Sequence, residues 1–175
     1  LDDMRIYTEI KDGNLFFIGG KNTYRGFGEK RIPGDYSSAT FLFCAAAITG
    51  GSVTVQGLNP DDPQGDKRVL NILEQMGCSV EWKDSEVTVT GGELIGTEVD
   101  LNDIPDALPA LSVTAAYAKG KTILTNVEHA RLKETDRISA MAQEMQKLGI
   151  TVDEQPDGLV VSGDRKPKAG TVDSR

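Results

Sequence analysis

The segment His129–Ile138 places both charge signs within ten residues and offers more chemistry than any other part of the sequence. Glu134 can act as an acid or a base. Lys133 and Arg137 can bind an anion in different ways, because lysine is a compact charge and arginine a planar fork suited to carboxylate or phosphate. These residue types predict a site for a multiply charged substrate.

A helix follows this segment, since apolar residues recur at three- and four-residue steps from Ile138 to Leu148. Thr135 is the predicted N-cap, which leaves Lys133 and Glu134 on the preceding loop and Arg137 in the first turn. A cation there opposes the helix dipole. Two interpretations are open: a solvated Glu134–Arg137 pair worth about 0.2 to 0.5 kcal/mol, or cations and helix N-terminus converging on an anion.

A second candidate lies at Asp103-Ile104-Pro105-Asp106. Asp103 as N-cap and Pro105 just inside the helix give Asp106 a structural capping role. The alternative is chemical: Asp106 can accept a hydroxyl proton while Glu134 handles a second proton. Those two roles require environments that separate the two pKa values.

Three further residues have weaker claims to a functional role. His129 is interpreted as a solvent-facing loop histidine, and Ser37 and Ser38 as helix-capping residues.

An internal repeat organises the elements that must position these residues. Lys11–Gly20 aligns with Lys83–Gly92 at an offset of 72, and the same shift brings Val87–Gly91 onto Leu159–Gly163. Alternating apolar residues and a closing glycine predict a strand after a tight turn in each copy.

Each copy also has two predicted helices, which cannot bury their apolar stripes alone, so neighbouring copies are expected to share a core. One unit is helix, strand, helix, strand, strand, with a short β segment before it. We expect one partial domain over residues 1–175, cut from a longer polypeptide. Its predicted parts are the end of a preceding unit and a mobile connection (1–31), a first unit (32–92), a second (93–164) and the start of a third (165–175).

Composition limits the possible partners. A net charge of -8 and a pI of about 4.7 argue against nucleic acid or a membrane surface. Cys44 and Cys78 lack metal-type spacing, and His129 is the one histidine, so we expect no metal site. Two reduced core cysteines indicate a cytoplasmic protein, and no apolar run is long enough to span a membrane.

Three segments together closely resemble the 5-enolpyruvylshikimate-3-phosphate synthase family of 3-phosphoshikimate 1-carboxyvinyltransferases. They are Arg131–Arg137 (RLKETDR), Asp103–Ala107 (DIPDA) and Gly34–Ala39 (GDYSSA). The lysine-glutamate-threonine-aspartate-arginine block is the most specific of them. The resemblance implies an α/β (α+β) fold of repeated βαβαββ units, an inverse α/β barrel, with the active site between two domains. This chain resembles two units of the C-terminal domain plus edges of a third.

The resemblance also implies a reaction. The family transfers the enolpyruvyl group of phosphoenolpyruvate to the 5-hydroxyl of shikimate 3-phosphate, releasing phosphate, on the route to aromatic amino acids. By position, Asp106 matches the base toward the hydroxyl and Glu134 the group that handles the methylene proton. Lys133 matches a catalytic, substrate-contacting cation, Arg137 a clamp on phosphoenolpyruvate, and His129 a polar contact to the shikimate ring.

The implied partners are these two small molecules and the missing N-terminal domain of the same polypeptide, with no metal or organic cofactor. Glyphosate is the family's inhibitor. Two alternatives remain: a sister enolpyruvyl transferase acting on UDP-N-acetylglucosamine, and a noncatalytic repeat scaffold.

Overall fold

The structure is a computed structural model of the chain. It describes residues 6–19, 23, 25–26, 28–163 and 166–174. Several residues of the predicted mobile connection 21–31 lie outside this described part.

Two compact units divide the chain, Leu1–Ile32 and Pro33–Arg175. The smaller one contains an antiparallel hairpin of β1 (Thr8–Lys11) and β2 (Leu15–Ile18). This hairpin is the predicted strand pair of the first repeat segment, and its side chains are largely exposed.

The larger unit contains two copies of one pattern: helix, strand, helix and hairpin. The first copy consists of α1 (Tyr36–Thr49), β3 (Ser52–Gln56), α2 (Arg68–Gln75), β4 (Ser79–Lys83) and β5 (Glu86–Thr90). The second copy consists of β6 (Glu98–Asp100), α3 (Leu108–Ala115), β7 (Lys121–Thr125), α4 (Arg137–Lys147), β8 (Thr151–Gln155) and β9 (Gly158–Ser162). Short 3-10 helices lead into three of these elements, at Gly65–Lys67, Pro105–Ala107 and Glu128–Leu132. The predicted order of helix, strand, helix, strand, strand is confirmed in both copies, and among the described residues the short preceding β segment is found only before the second copy, as β6.

Each copy builds its own sheet. The first has the order β3-β5-β4 and is antiparallel, and the second has the order β6-β7-β9-β8, with β6 parallel to β7. Ser52 pairs with Thr90 in the first sheet and Lys121 with Ser162 in the second, so the two copies share a register. Both sheets therefore present corresponding faces to the helices.

One apolar core runs through both copies, as the repeat predicts. Leu73 and Val89 from the first copy belong to the same buried cluster as Leu111, Leu124 and Leu159 from the second. Each of these side chains is 1% exposed or less. Because α1 packs on α3 and α3 on α4, the helix starts of the two copies are held together at one end of this core.

The N-cap of α4 differs from the prediction. The N-cap is Asp136 and not Thr135, and the backbone of Asp136 is extended, as is usual for an N-cap. Its Oδ1 accepts a hydrogen bond from the Ser139 amide at 3.0 Å. The predicted loop positions of Lys133 and Glu134 are unaffected, because α4 still begins at Arg137.

The predicted caps of α1 and α3 also differ from those in the structure. Asp35 caps α1 by accepting from the amides of Ser37 and Ser38, so the two serines lie in the first turn and are not the caps. Asp103 does not cap the next helix start, because the chain enters a 3-10 helix from Ile104. The Asp103 carboxylate instead lies 3.7 Å from Arg68 Nη1.

Both cysteines are free and buried, as predicted. Burial raises the pKa of Cys44 to about 11, and burial also raises the pKa of Cys78. Within the described residues, no helix combines the length and apolar character needed to cross a bilayer.

Candidate functional site

Four of the predicted site residues meet at one place. Asp106, in the 3-10 helix before α3, accepts from Arg137 Nη1 at 2.7 Å, and its Oδ1 also lies 3.4 Å from Lys133 Nζ. Arg137 donates from Nε to Glu134 Oε1 at 2.7 Å and from Nη2 to Oε2 at 2.9 Å. The structure therefore brings together two carboxylates and two cations from two segments of the second copy.

The structure contains the predicted Glu134–Arg137 pair. This pair does not exclude the alternative interpretation, in which the cations and the helix N-terminus converge on an anion. The Arg137 side chain is only 20% exposed, and its guanidinium forms hydrogen bonds to both Glu134 and Asp106. A cation at the first position of a helix is unfavourable against the dipole. The carboxylates of Glu134 and Asp106 offset that cost and fix the plane of the Arg137 guanidinium.

This geometry shifts the pKa values of the cluster. Partial burial alone would raise the pKa of Asp106, but the hydrogen bond from Arg137 and the charge of Lys133 outweigh it, so the pKa is lowered. The hydrogen bonds from Arg137 lower the pKa of Glu134 as well. Glu134 and then Asp106 raise the pKa of Arg137. Both carboxylates are therefore ionised at neutral pH, and their two pKa values shift in the same direction.

The cluster borders an open cavity of about 370 Å³. Its polar lining comes from both copies and from the C-terminal segment: Ser37, Asp106, Glu134, Thr135, Arg137, Glu144, Asp173 and Ser174. Its apolar lining consists of Phe41, Pro109, Ala140 and Met141. The cavity has room for a small molecule, and Arg137 is the cation among its described lining residues, beside the four carboxylates of Asp106, Glu134, Glu144 and Asp173.

Several lining residues were not predicted from sequence. Met141 and Glu144 follow Arg137 by four and seven positions, so helix periodicity places all three on one face of α4. This periodicity was a usable signal for that face. The contribution of Ser37 had no such signal, because its hydroxyl is oriented by a hydrogen bond of 2.8 Å to Asp66, 29 positions away.

His129 stands apart from the four charged residues. It lies in the 3-10 helix Glu128–Leu132 and is partly buried, which corrects the expected solvent-facing loop. Within the described part of the chain, it forms no hydrogen bond or ion pair with Asp106, Lys133, Glu134 or Arg137.

The described residues contain no group of three or more histidine, cysteine, aspartate or glutamate side chains suited to a metal ion. What the cluster can do is bind anions through Lys133 and Arg137 and move protons through Asp106 and Glu134. Fold and site thus define a class: an α/β repeat domain with two carboxylates and two cations grouped at its helix starts.

Comparison with known proteins identifies the family within that class. The family model of EPSP synthase (3-phosphoshikimate 1-carboxyvinyltransferase) matches residues 1–175, and the chain belongs to this family. A 3-phosphoshikimate 1-carboxyvinyltransferase of Ruminiclostridium cellulolyticum is 51% identical over 161 residues, which cover 92% of this chain and 38% of that protein. One of Methanothrix thermoacetophila is 46% identical over 154 residues, covering 87% and 36%.

Solved structures agree with these relatives. The EPSP synthase of Acinetobacter baumannii matches with a TM-score of 0.74 and 30% identity, over 95% of this chain and 40% of that one. The enolpyruvyl transferase NikO of Streptomyces tendae matches with a TM-score of 0.66 at 20% identity, over 95% and 39%, which is a likeness of fold. The predicted family and fold class are confirmed. The chain spans about two fifths of the length of these proteins.

Proposed function

We propose that the complete polypeptide containing this chain transfers the enolpyruvyl group of phosphoenolpyruvate to the 5-hydroxyl of shikimate 3-phosphate, with release of phosphate. One observation carries the proposal: Asp106, Glu134 and Arg137 line one edge of an open cavity, with Lys133 beside Asp106. Family membership supplies the reaction, and this convergence supplies groups able to perform its proton transfers.

Asp106 is the proposed base toward the substrate hydroxyl. A base has to be ionised before it accepts a proton, and the lowered pKa of Asp106 meets that requirement at neutral pH. Arg137 and Lys133 bind the same oxygen, Oδ1. The other oxygen, Oδ2, is the one available to a hydroxyl group.

Glu134 is the proposed group that handles the proton at the phosphoenolpyruvate methylene. To donate a proton it must first become protonated, which its two hydrogen bonds from Arg137 oppose. A substrate carboxylate that binds the Arg137 fork would remove those bonds and raise the pKa of Glu134. Substrate binding would then separate the two pKa values as the two roles require.

Lys133 is the proposed stabiliser of negative charge. Its side chain is 35% exposed and its ammonium group lies 3.4 Å from Asp106 Oδ1, so it can turn toward a phosphate with little rearrangement. A cation here stabilises the negative charge that develops on the leaving phosphate, while the neighbouring carboxylates of Asp106 and Glu134 stabilise the oxocarbenium-like centre. For His129 we retain only a proposed contact to the shikimate ring.

The rest of the active site is proposed to come from another domain of the same polypeptide. The relatives are more than twice as long as their match to this chain, and the cavity is open. We propose that the described unit is part of one domain, with repeat units at 32–92 and 93–164, that acts without metal or organic cofactor. A cytoplasmic setting is supported by two buried free thiols.

The experiment that tests this function uses the complete polypeptide. Phosphate release is measured with phosphoenolpyruvate and either shikimate 3-phosphate or UDP-N-acetylglucosamine as the acceptor. We expect phosphate release with shikimate 3-phosphate only. Release with UDP-N-acetylglucosamine only would indicate the sister enolpyruvyl transferase activity. If the protein neither released phosphate nor bound these ligands, it would be a noncatalytic scaffold.

A further inference from the structure

Arg131 has the most extensive set of hydrogen bonds near the site, yet it lies outside the charged cluster. Its Nε donates to the Pro156 carbonyl at 2.8 Å and its Nη2 to the Gln155 carbonyl at 2.7 Å. Its Nη1 donates to the carboxylates of Asp136 at 2.7 Å and Glu154 at 2.9 Å. The guanidinium therefore has four acceptors, and its side chain is 25% exposed.

Two of these four acceptors are backbone carbonyls at the tip of the β8–β9 hairpin. Gln155 ends β8, Pro156 begins the turn, and Glu154 lies one residue earlier on the strand. Arg131 thereby connects the hairpin of the second copy to the start of α4.

Asp136 has two roles in this network. Its Oδ1 caps α4 through the Ser139 amide, and its Oδ2 accepts from Arg131. The Arg131–Asp136 pair consequently closes a short loop, since both ends of the segment between them are held by one ion pair. Lys133 and Glu134 are on that segment.

Apart from the side-chain contacts of Lys133 with Asp106 and of Glu134 with Arg137, the loop has few anchors. Leu132 is 87% exposed, so it does not anchor the loop in the core. Within the described residues, the amides of Lys133, Glu134 and Thr135 have no hydrogen bond to another helix or strand. The orientation of the loop therefore depends on side chains, and Arg131 makes most of the bonds at its base.

We propose that Arg131 and Asp136 are positioning residues, which hold the Lys133–Glu134 loop over the cavity by fixing both of its ends against the β8–β9 hairpin. The catalytic role of Lys133 and Glu134 on this loop rests on the proposed function. Neither residue needs to touch substrate. A lysine at position 131 would keep the charge but not the planar fork that reaches carbonyl and carboxylate acceptors together.

The experiment compares Arg131→Lys and Arg131→Ala with the unsubstituted complete polypeptide. Misplacement of a reacting group by about 1 Å can reduce a rate by about 100-fold, so we expect kcat of Arg131→Ala to fall by about that factor. KM for shikimate 3-phosphate should change by less than about threefold, because its binding groups remain. The kcat of Arg131→Lys should lie between those of Arg131→Ala and the unsubstituted protein.

Loss of a residue that only stabilises the fold would reduce the amount of folded protein without reducing kcat per folded molecule. We therefore measure kcat per folded molecule and add guanidinium ion to Arg131→Ala, with potassium at the same ionic strength as the comparison. Restoration of kcat by millimolar guanidinium alone supports positioning. Lys83→Ala, which removes an exposed cation from β4 of the first copy, should leave kcat unchanged.

Amide hydrogen exchange provides a readout that does not need turnover. In Arg131→Ala, the amides of Ser139 and Ala140, which donate to Asp136, should exchange faster, and the amides of β3 and β5 should exchange at an unchanged rate. Retention of kcat within twofold together with unchanged exchange would overturn the proposal, even if Arg131→Ala were less stable. If Arg131→Ala does not fold, Arg131→Lys and Glu154→Gln supply the same comparison. An unsubstituted protein that transfers no enolpyruvyl group contradicts the proposed function, while exchange still decides whether Arg131 holds the loop.

Discussion

Arg137 Nη1 lies 2.7 Å from Asp106 Oδ1 although the two residues are 31 positions apart. This bond joins the 3-10 helix before α3 to the first turn of α4. The same guanidinium binds Glu134 with its Nε and Nη2. One cation thus holds two carboxylates at the cavity edge, and an anionic ligand that takes this fork would change the electrostatics of both.

Replacing Arg137 with lysine tests the importance of the fork. Lysine keeps the charge but cannot donate in parallel to a carboxylate. In the complete polypeptide we expect KM for phosphoenolpyruvate to rise by at least about tenfold, equivalent to about 1.4 kcal/mol, with a smaller change in KM for shikimate 3-phosphate. Steady-state kinetics with each substrate varied measure both. An equal rise in the two constants would contradict a specific clamp.

The isosteric variants Asp106→Asn and Glu134→Gln separate chemistry from binding. Each removes a proton-transfer group and nearly preserves shape, so we expect kcat to fall by about 100-fold or more. Binding of shikimate 3-phosphate, measured by titration calorimetry, should weaken far less. A loss of affinity as large as the loss of turnover would assign the carboxylate a binding role.

Stability should depend on pH in a direction set by these ion pairs. Partial burial would raise the pKa of Asp136, but the Ser139 amide and Arg131 outweigh it, so its pKa is lowered, as are those of Asp106 and Glu134. A lowered folded-state pKa adds stability above the unfolded value of about 4. That stability is lost as the pH falls through the pKa of the folded state.

We therefore expect the urea midpoint of unfolding to stay level from pH 7 to about 5 and to decrease at lower pH. Asp136→Asn should lower the midpoint at pH 7 and make its decrease below pH 5 smaller. Asp61→Asn, a change outside these ion pairs, is the matched control. If the urea midpoint decreased equally below pH 5 in the unsubstituted protein, Asp136→Asn and Asp61→Asn, this would contradict the contribution assigned to the Asp136 ion pair.

The repeat made most of the fold predictable. Lys83–Gly92 and Leu159–Gly163 were recognised as strands because alternation and turn residues are local signals, and β5 and β9 lie there. Helix caps were less predictable, since Thr135 and Asp136 are both good N-cap types and the backbone angle decides between them.

Long-range contacts account for the remaining differences. Asp103 has the spacing of a cap, but Arg68 of the first copy lies near its carboxylate. The role of Arg131 depends largely on two backbone carbonyls 24 and 25 positions away, which no residue type reveals. Asp106, Lys133, Glu134 and Arg137 were predicted together because the family motif already encodes their proximity.

The 175-residue chain by itself is expected to fold at least partly and to catalyse no enolpyruvyl transfer. Its cavity is open, and the proposed second domain would supply the remaining substrate contacts and exclude water. Circular dichroism should report folded structure, while phosphate release with both substrates should stay at background. Turnover by the purified chain would show that these residues suffice.

Gly65 provides a test of how the first copy positions Asp106. A Cβ at this glycine would lie 2.5 Å from the Asp103 carbonyl oxygen and 3.3 Å from Ile104 Cγ2. The carbonyl belongs to the backbone that leads into Asp106, so it cannot move aside like the end of a flexible side chain. Gly65→Ala should therefore displace that segment.

The sign of the Gly65→Ala effect depends on two opposing terms. Alanine in place of glycine gains about 0.4 to 1 kcal/mol where the conformation permits it, whereas overpacking costs about 1 to 3 kcal/mol. We expect the free energy of unfolding to decrease by roughly 1 to 2 kcal/mol, and kcat of the complete polypeptide to fall because Asp106 shifts. Gly26→Ala, where nothing lies within 4 Å, should change stability by no more than about 0.5 kcal/mol. If urea unfolding and kcat of Gly65→Ala match those of Gly26→Ala, contact between the copies does not set the position of Asp106.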